Sequence, residues 1–336
     1  MLAARFHGPR DIRIEEVPDP VPGPGEAVIR VRAAGICGGD LHEYRAGRRL
    51  YPTPYPRPAQ GHELAGDVLA VGPGTEGVVP GERVAVQPMV SCGACEHCRI
   101  GRFALCAELE HIGVARPGGF AELCVAPVEN LYRLPDAVGY EEGALLDCTA
   151  VAVHALQRVP LPAGARVTVL GAGAIGLAVA QLARLAGAGR VTVVGTRPRP
   201  LKAARLLGAD ETVDLGAGEA PPTGADVVYE TAGGAGQLER ALAAAGAGGA
   251  VGIVGESFEL QEIDAASAMV RELTIAFVWS HDGRSEYVRA LALAASGQVC
   301  LAPIVTHRYP LAELPEAFEA ALDRARSGAI KVIVTP

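Results

Sequence analysis

Arg166-Val-Thr-Val-Leu-Gly171-Ala-Gly173-Ala-Ile-Gly176 is a short β-branched, apolar run that ends in three glycines spaced G-x-G-x-x-G. An amphipathic stretch, Leu177 to Ala186, follows it, and then a second β-branched run, Arg190-Val-Thr-Val-Val194. The glycine spacing alone says little. Between the strand and the helix of a βαβ unit it reads as a dinucleotide turn. Gly171 makes the tight turn, Gly173 lets the backbone approach a pyrophosphate, and Gly176 lets the helix pack on the strand. Ala174 and Ile175 open that helix, whose N-terminus meets the phosphates' negative charge. The alternation continues through Ala225–Glu230, Ala250–Gly255 and Leu273–Val278, with Val254 counted among the cofactor-binding positions. The expected fold class is α/β, with a doubly wound parallel sheet covered by helices on both faces.

Cofactor identity is read at the end of the second strand. An NAD site places Asp or Glu there for the ribose 2′-hydroxyl, and a carboxylate repels a 2′-phosphate. This chain has Gly195-Thr196-Arg197 instead. Gly195 leaves room, Thr196 offers a hydroxyl and Arg197 a cation for the phosphate, with Arg199 and Lys202 able to reinforce it. NADP(H) is therefore favoured over NAD(H).

Upstream, Ala27–Arg32, Leu64–Val71 and Arg83–Val86 are short β-rich runs divided by Gly and Pro, a pattern of barrels and sandwiches. Pro18–Pro24 and Tyr51–Pro58 are proline-rich loops, excluded from central strands by their missing amide donors. Cys92-Gly-Ala-Cys95-Glu-His-Cys98 and Cys106 bring four thiols into one short lobe, a spacing that closes a tetrahedron around a structural zinc. His97 inside the lobe reads as a solvated neighbour. An iron-sulfur cluster is the weaker choice, with no second set of ligands.

Three separated groups of mixed chemistry remain: Cys37 in Gly35-Ile-Cys-Gly-Gly-Asp-Leu-His42, His62 in Gly61-His-Glu63, and Asp147 in Leu146-Asp-Cys148. Singly, each has a plain explanation, since free Cys is usually a small buried hydrophobe and an acid usually lies on the surface. Together they are the expected ligands of a catalytic zinc with an open fourth position. Two zinc ions per chain are expected.

At 336 residues the chain exceeds one ordinary core, and two domains are favoured. A formal charge of −8 leaves no basic footprint for nucleic acid. No apolar run spans a bilayer and the N-terminal stretch lacks a signal-peptide core, so a cytoplasmic protein is expected. Eight cysteines in a reducing compartment point to metal or chemistry before disulfides. The tail, with strand-like Ile304–Arg308, a helical Leu314–Ala325 and strand-like Ile330–Val334, fits either domain.

With these residues in view the chain resembles the zinc-containing medium-chain dehydrogenase/reductase family over essentially its whole length. The marks are Gly35-Ile-Cys37, Asp40-Leu-His42, Gly61-His-Glu63, the four-cysteine lobe, the Gly171 turn, Thr306-His307 and Gly328-Ala-Ile-Lys331. The resemblance implies a GroES-like β-barrel over 1–150 and 296–336, carrying the zinc lobe at 92–106. It implies a Rossmann domain over 151–295, an active site in the cleft between them, and a homodimer or homotetramer joined through edge strands. Asp40 is implied to orient His62, Glu63 to enter and leave the zinc shell, and Lys331 to meet the cofactor pyrophosphate. Trp279 is implied to border nicotinamide and substrate.

Two departures from that pattern matter. Asp147 stands where many relatives have Glu or Cys, and its shorter reach keeps Cys148 open as the third ligand. Gly39 stands where family alcohol dehydrogenases usually have Ser or Thr to relay the alcohol proton. The expected chemistry is reversible oxidation of a secondary alcohol or polyol to a ketone, with zinc as Lewis acid and hydride passing to nicotinamide. The proton then leaves by water, ribose hydroxyls and His42. Gly39 also motivates an alternative, a nicotinamide-binding sensor or structural protein with little turnover. Intact ligand candidates argue for the enzyme.

Overall fold

The computed structural model describes residues 1–47 and 54–336; Tyr51 and the opening of the proline-rich stretch lie outside the described residues. Two compact units are present, one of Met1–Asp147, Asp282–Ser296 and Val305–Pro336, the other of Cys148–His281 and Gly297–Ile304.

The second unit is built on six parallel strands in the order Glu211–Asp214, Arg190–Gly195, Arg166–Leu170, Ala225–Glu230, Ala245–Ile253, Thr274–Phe277. The central strands are apolar along their length because both faces are covered, and Val167, Val169, Val191 and Val193 are all buried. Helix Ala174–Leu185 starts directly after the glycine turn and packs back on the first two strands of the unit. Sequence order reverses between Arg166–Leu170 and Ala225–Glu230, the switch point outside whose carboxyl ends nucleotides bind in open α/β sheets.

The first unit holds a seven-stranded sheet. Glu26–Gly35 is its hub, pairing with Glu63–Val71, Leu123–Pro127 and the tail strand Lys331–Thr335. Phe318, on helix Leu314–Leu322, explains why the tail belongs here. Its buried ring meets Tyr44 at 4.9 Å and both Phe6 and Phe120 at 5.7 Å, locking the tail helix onto the N-terminal core. Full burial of one such ring contributes about 1.5–3 kcal/mol.

The units do not divide at the expected 295/296 boundary. Helix Arg284–Ala295 clusters with the first unit, where buried Tyr287 donates its hydroxyl to Val86 O at 3.1 Å and tilts against Tyr132 at 4.7 Å. Gly297–Ile304 then rejoins the second unit through Gln181, whose amide brackets Cys300 with bonds of 2.8 and 3.2 Å. The earlier boundary falls inside helix Leu146–Arg158, between Asp147 and Cys148. Among the described residues no helix is long and apolar enough to cross a membrane.

Candidate metal and cofactor sites

Cys92, Cys95, Cys98 and Cys106 form one group whose sulfurs all lie within 4.8 Å of one another. Cys95 and Cys98 Sγ are 3.5 Å apart and Cys92 and Cys98 Sγ 4.0 Å. A tetrahedron with Zn–S bonds of about 2.3 Å has sulfur–sulfur edges of roughly 3.8 Å, whereas a disulfide needs about 2 Å. The four thiols thus fit zinc and are unpaired. Backbone N–H groups of Cys98 and Ala107 hold the Cys95 thiol down to about 6, favouring the thiolate a metal requires. His97, expected as a solvated neighbour, instead has its Nδ1 buried without a hydrogen-bond partner.

The second group is Cys37, His62 and Glu63. Sheet register brings them together, because Gly35 pairs directly with Glu63 across neighbouring antiparallel strands. The chain leaves the sheet at Ile36, and Cys37 caps helix Gly38–Ala46, its N–H donating to Asp40 Oδ2 at 2.9 Å. Gly35 leaves room for the Glu63 carboxylate, since a Cβ there would lie 2.1 Å from Glu63 Oε2. Gly61 adopts φ of +91° and faces the Phe120 ring, turning the chain so that His62 follows immediately.

Electrostatically this pocket is acid-rich. Burial drives the Cys37 thiol well above its ordinary range, with Glu63 and Asp40 adding to the shift and Lys331 opposing it. Burial likewise pushes the Asp40 carboxyl up to about 6 against the pull of His62. His62 Nδ1 is buried without a hydrogen-bond partner, with Asp40 Oδ1 3.9 Å away. The Asp40 contact is an ion-pair distance, too long for the orienting hydrogen bond expected. A thiol, an imidazole and surplus carboxylates at one buried point make a donor set that fits a dication.

Lys331 meets an anion within the chain. Its buried ammonium donates to Glu63 Oε2 at 2.6 Å, Glu63 Oε1 at 2.7 Å and Ile36 O at 3.1 Å. Both residues are almost fully buried, and burying either charge alone would cost several kcal/mol. Asp147, buried at the start of its helix, stands outside the Cys37 group, and Cys148 is buried beside it in sequence. His42 is half-buried on the ligand helix. Sequence reasoning missed His111, whose ring stands edge-on to His62 at 5.1 Å; no motif marks it.

In the other unit the three glycines divide their tasks as their spacing implies. Gly171 has φ of +107°, and a Cβ on Gly176 would sit 1.9 Å from Gly171 O. A Cβ on Gly173 would meet no heavy atom within 4 Å among the described residues, leaving the approach to the helix N-terminus open. Among the described residues no side chain caps that N-terminus, so its first amides remain available to an anion. This fits a dinucleotide. Gly195 closes its strand, and a Cβ there would crowd Leu201 Cδ2 at 3.0 Å. Thr196 is exposed, and Arg197 caps helix Pro198–Leu206. Asp214, level with Gly195 on the next strand, spends its carboxylate on the N–H groups of Gly216 and Ala217. Val254 is half-buried and donates its N–H to Glu230 O at 2.8 Å, while the Glu230 carboxylate gathers the N–H groups of Ala232 and Gly233.

Residues 23–136 match the family model of the alcohol dehydrogenase GroES-like domain, and residues 174–296 that of the zinc-binding dehydrogenase. Sorbitol dehydrogenase of Bacillus subtilis (strain 168) is 33% identical, the match covering 100% of this chain and 97% of that protein. The Homo sapiens sorbitol dehydrogenase is also 33% identical, with coverages of 95% and 92%. Two solved structures extend the likeness. A Sinorhizobium meliloti 1021 protein described as a zinc-binding dehydrogenase bound to NADP superposes with a TM-score of 0.90 at 33% identity, covering 100% of this chain and 99% of that one. The 2R,3R-butanediol dehydrogenase of Bacillus subtilis gives 0.87 at 32%, with the same coverages.

Proposed function

The chain belongs to the zinc-containing medium-chain dehydrogenase/reductase family, and on that premise we propose that it interconverts a secondary alcohol or polyol and its ketone, with NADP(H) as the favoured carrier. The observation that carries the reading is the convergence of Cys37 and His62 on one buried, acid-rich point. Relatives that act on sorbitol and butanediol support a polyol-like substrate.

Cys37 Sγ and His62 hold the catalytic metal, with Asp147 as third ligand and Cys148 as its alternative. Glu63 is a poor permanent ligand while both its oxygens are engaged by the Lys331 ammonium. Bound there, zinc supplies Lewis-acid polarisation of the substrate oxygen, and the nicotinamide supplies the hydride acceptor. The protein's own part is positional and electrostatic. The ligand helix holds Cys37 through its Asp40 capping box, and the Lys331–Glu63 pair keeps one carboxylate neutralised beside the metal ligands. With Gly39 offering no hydroxyl, the alcohol proton passes through water to an imidazole nitrogen of His42.

Arg197 favours the 2′-phosphate, helped by the commitment of Asp214 to backbone amides. The edge strand Thr274–Phe277 and its surroundings expose Phe277, Val270, Met269 and Leu260, which supports a homo-oligomer joined at that edge. Four thiols gathered at metal-binding distances in one lobe support a reducing, cytoplasmic setting. Zinc analysis together with cofactor reduction over a panel of diols and polyols tests the reading. Two zinc ions per chain and turnover lost in Cys37→Ser are expected; one zinc, or cofactor binding without turnover on any substrate, would overturn it.

A further inference from the structure

We propose that Glu43 is a positioning residue for the Cys37–His62 centre: from the ligand helix its carboxylate holds Gln60 and Arg57, and so fixes the segment that delivers His62. The inference rests on the zinc reading above. Glu43, Arg57 and Gln60 are 3%, 5% and 2% exposed, a buried polar knot that motifs did not mark. Gln60 Nε2 donates to Glu43 Oε2 at 2.7 Å, while the Arg57 guanidinium and, at 3.5 Å, the Tyr55 hydroxyl donate to Oε1. Arg57 is in turn anchored by its backbone to Phe6 on both sides, with bonds of 2.8 and 3.2 Å, and its guanidinium lies over the Tyr55 ring.

The geometry gives this knot a direction. Asp40 and Glu43 are three apart on helix Gly38–Ala46, and residues so spaced share a face. Asp40 addresses His62 and Cys37 N–H; Glu43 addresses Gln60, two residues before His62. Two carboxylates on one helix face therefore grip the same short segment at two points. From the other side that segment is held by backbone bonds, from Gly118, Gly119 and Phe120 N–H to Ala59, Gly61 and Gln60 carbonyls at 2.7–2.8 Å. Those bonds fix the segment to its neighbouring loop. The Glu43–Gln60 bond ties it to the helix that Cys37 caps, two residues before His62, and so sets the Cys37–His62 spacing. An apolar trio of similar volume would serve stability as well or better, and a ligand pair misplaced by 1 Å loses much of its function.

The test compares native holoprotein with Glu43→Gln and Gln60→Met, measuring zinc affinity by competition with a chelator of known affinity. Gln60→Met leaves the Glu43–Arg57 pair intact, and so carries the test should Glu43→Gln fail to fold. Outer partners of metal ligands typically contribute 10–100-fold to affinity, and about tenfold weaker binding at the catalytic site is expected in each folded variant. The four-thiolate site, in the same unit, should be unchanged. A lower melting temperature with catalytic-site affinity within twofold of native would mean that the knot only stabilises the fold, and would overturn the proposal alone. A single zinc in the native protein would overturn the zinc reading and this proposal together.

Discussion

Lys331→Met removes the cation that neutralises Glu63. At 2.6 Å the attraction is worth about 6 kcal/mol at an effective dielectric of 20. Desolvation of the two ions cancels much of that, and breaking a buried pair from one side typically costs about 3–5 kcal/mol, because the stranded charge has no water to turn to. Glu63 is 0% exposed, so the stranded charge would be fully buried. For a unit of roughly 200 residues, each kcal/mol shifts the melting point by about 2–4 °C, giving a loss of about 6–20 °C. Calorimetry on metal-free protein, with Glu63→Gln and the double variant completing a cycle, reads this directly. The double variant should recover most of the loss, as neutral partners leave no buried charge. A single variant melting within 2 °C of native, accompanied by tenfold weaker NADP binding, would refute the reasoning and return Lys331 to the pyrophosphate.

Arg197→Ala should erase most of the NADPH preference, since a charge-assisted contact to phosphate is worth about 1.5–3 kcal/mol, or one to two decades in affinity; binding of NADH by the native protein as tight as that of NADPH would show that the loop does not read the phosphate. Gly39→Ser should leave kcat within about tenfold if water already carries the proton, and a rise of a hundredfold or more would show that proton transfer is crippled in the native protein. Burial pushes the Asp67 carboxyl up, yet the Tyr140 hydroxyl and the Arg32 guanidinium together outweigh it and hold the group below its ordinary 3.8. A depressed carboxyl stabilises the fold above its unfolded value and loses that contribution as pH falls through its folded value. The melting-point gap between native protein and Asp67→Asn should accordingly be widest above pH 3.8 and close below it, and a pH-independent gap would exclude the charge as its source.

The glycine turn and the cysteine lobe were legible because the constraint and the residue that satisfies it are the same few positions. Gly176 is glycine because Gly171 O lies 1.9 Å from its missing Cβ, and both residues sit in one short turn. Lys331 was not legible in the same way. Its partner lies 268 residues upstream, and nothing in Gly328-Ala-Ile-Lys331 says which anion the ammonium will meet. Helix Arg284–Ala295 shows the same limit at the scale of an element, since nothing in its sequence says that Tyr287 will bond Val86. The knot around Glu43 was hidden because charged residues ordinarily face water.

One consequence of the sheet in the first unit concerns the order in which the protein can come into being. Its hub strand Glu26–Gly35 emerges from the ribosome early, yet the strand Lys331–Thr335 that pairs with it is synthesised about 300 residues later, after all of the second unit. Long-range pairing of this kind is slow, and an unpaired hub strand is exposed to aggregation while it waits. The second unit is almost contiguous and can fold during that interval. Cys37, His62 and Glu63 exist from the start, but Glu63 has no ammonium to balance it until Lys331 arrives. Assembly of the metal site is thereby timed to the closing strand, so that an unfinished chain presents the ligands without the charge balance of the finished site.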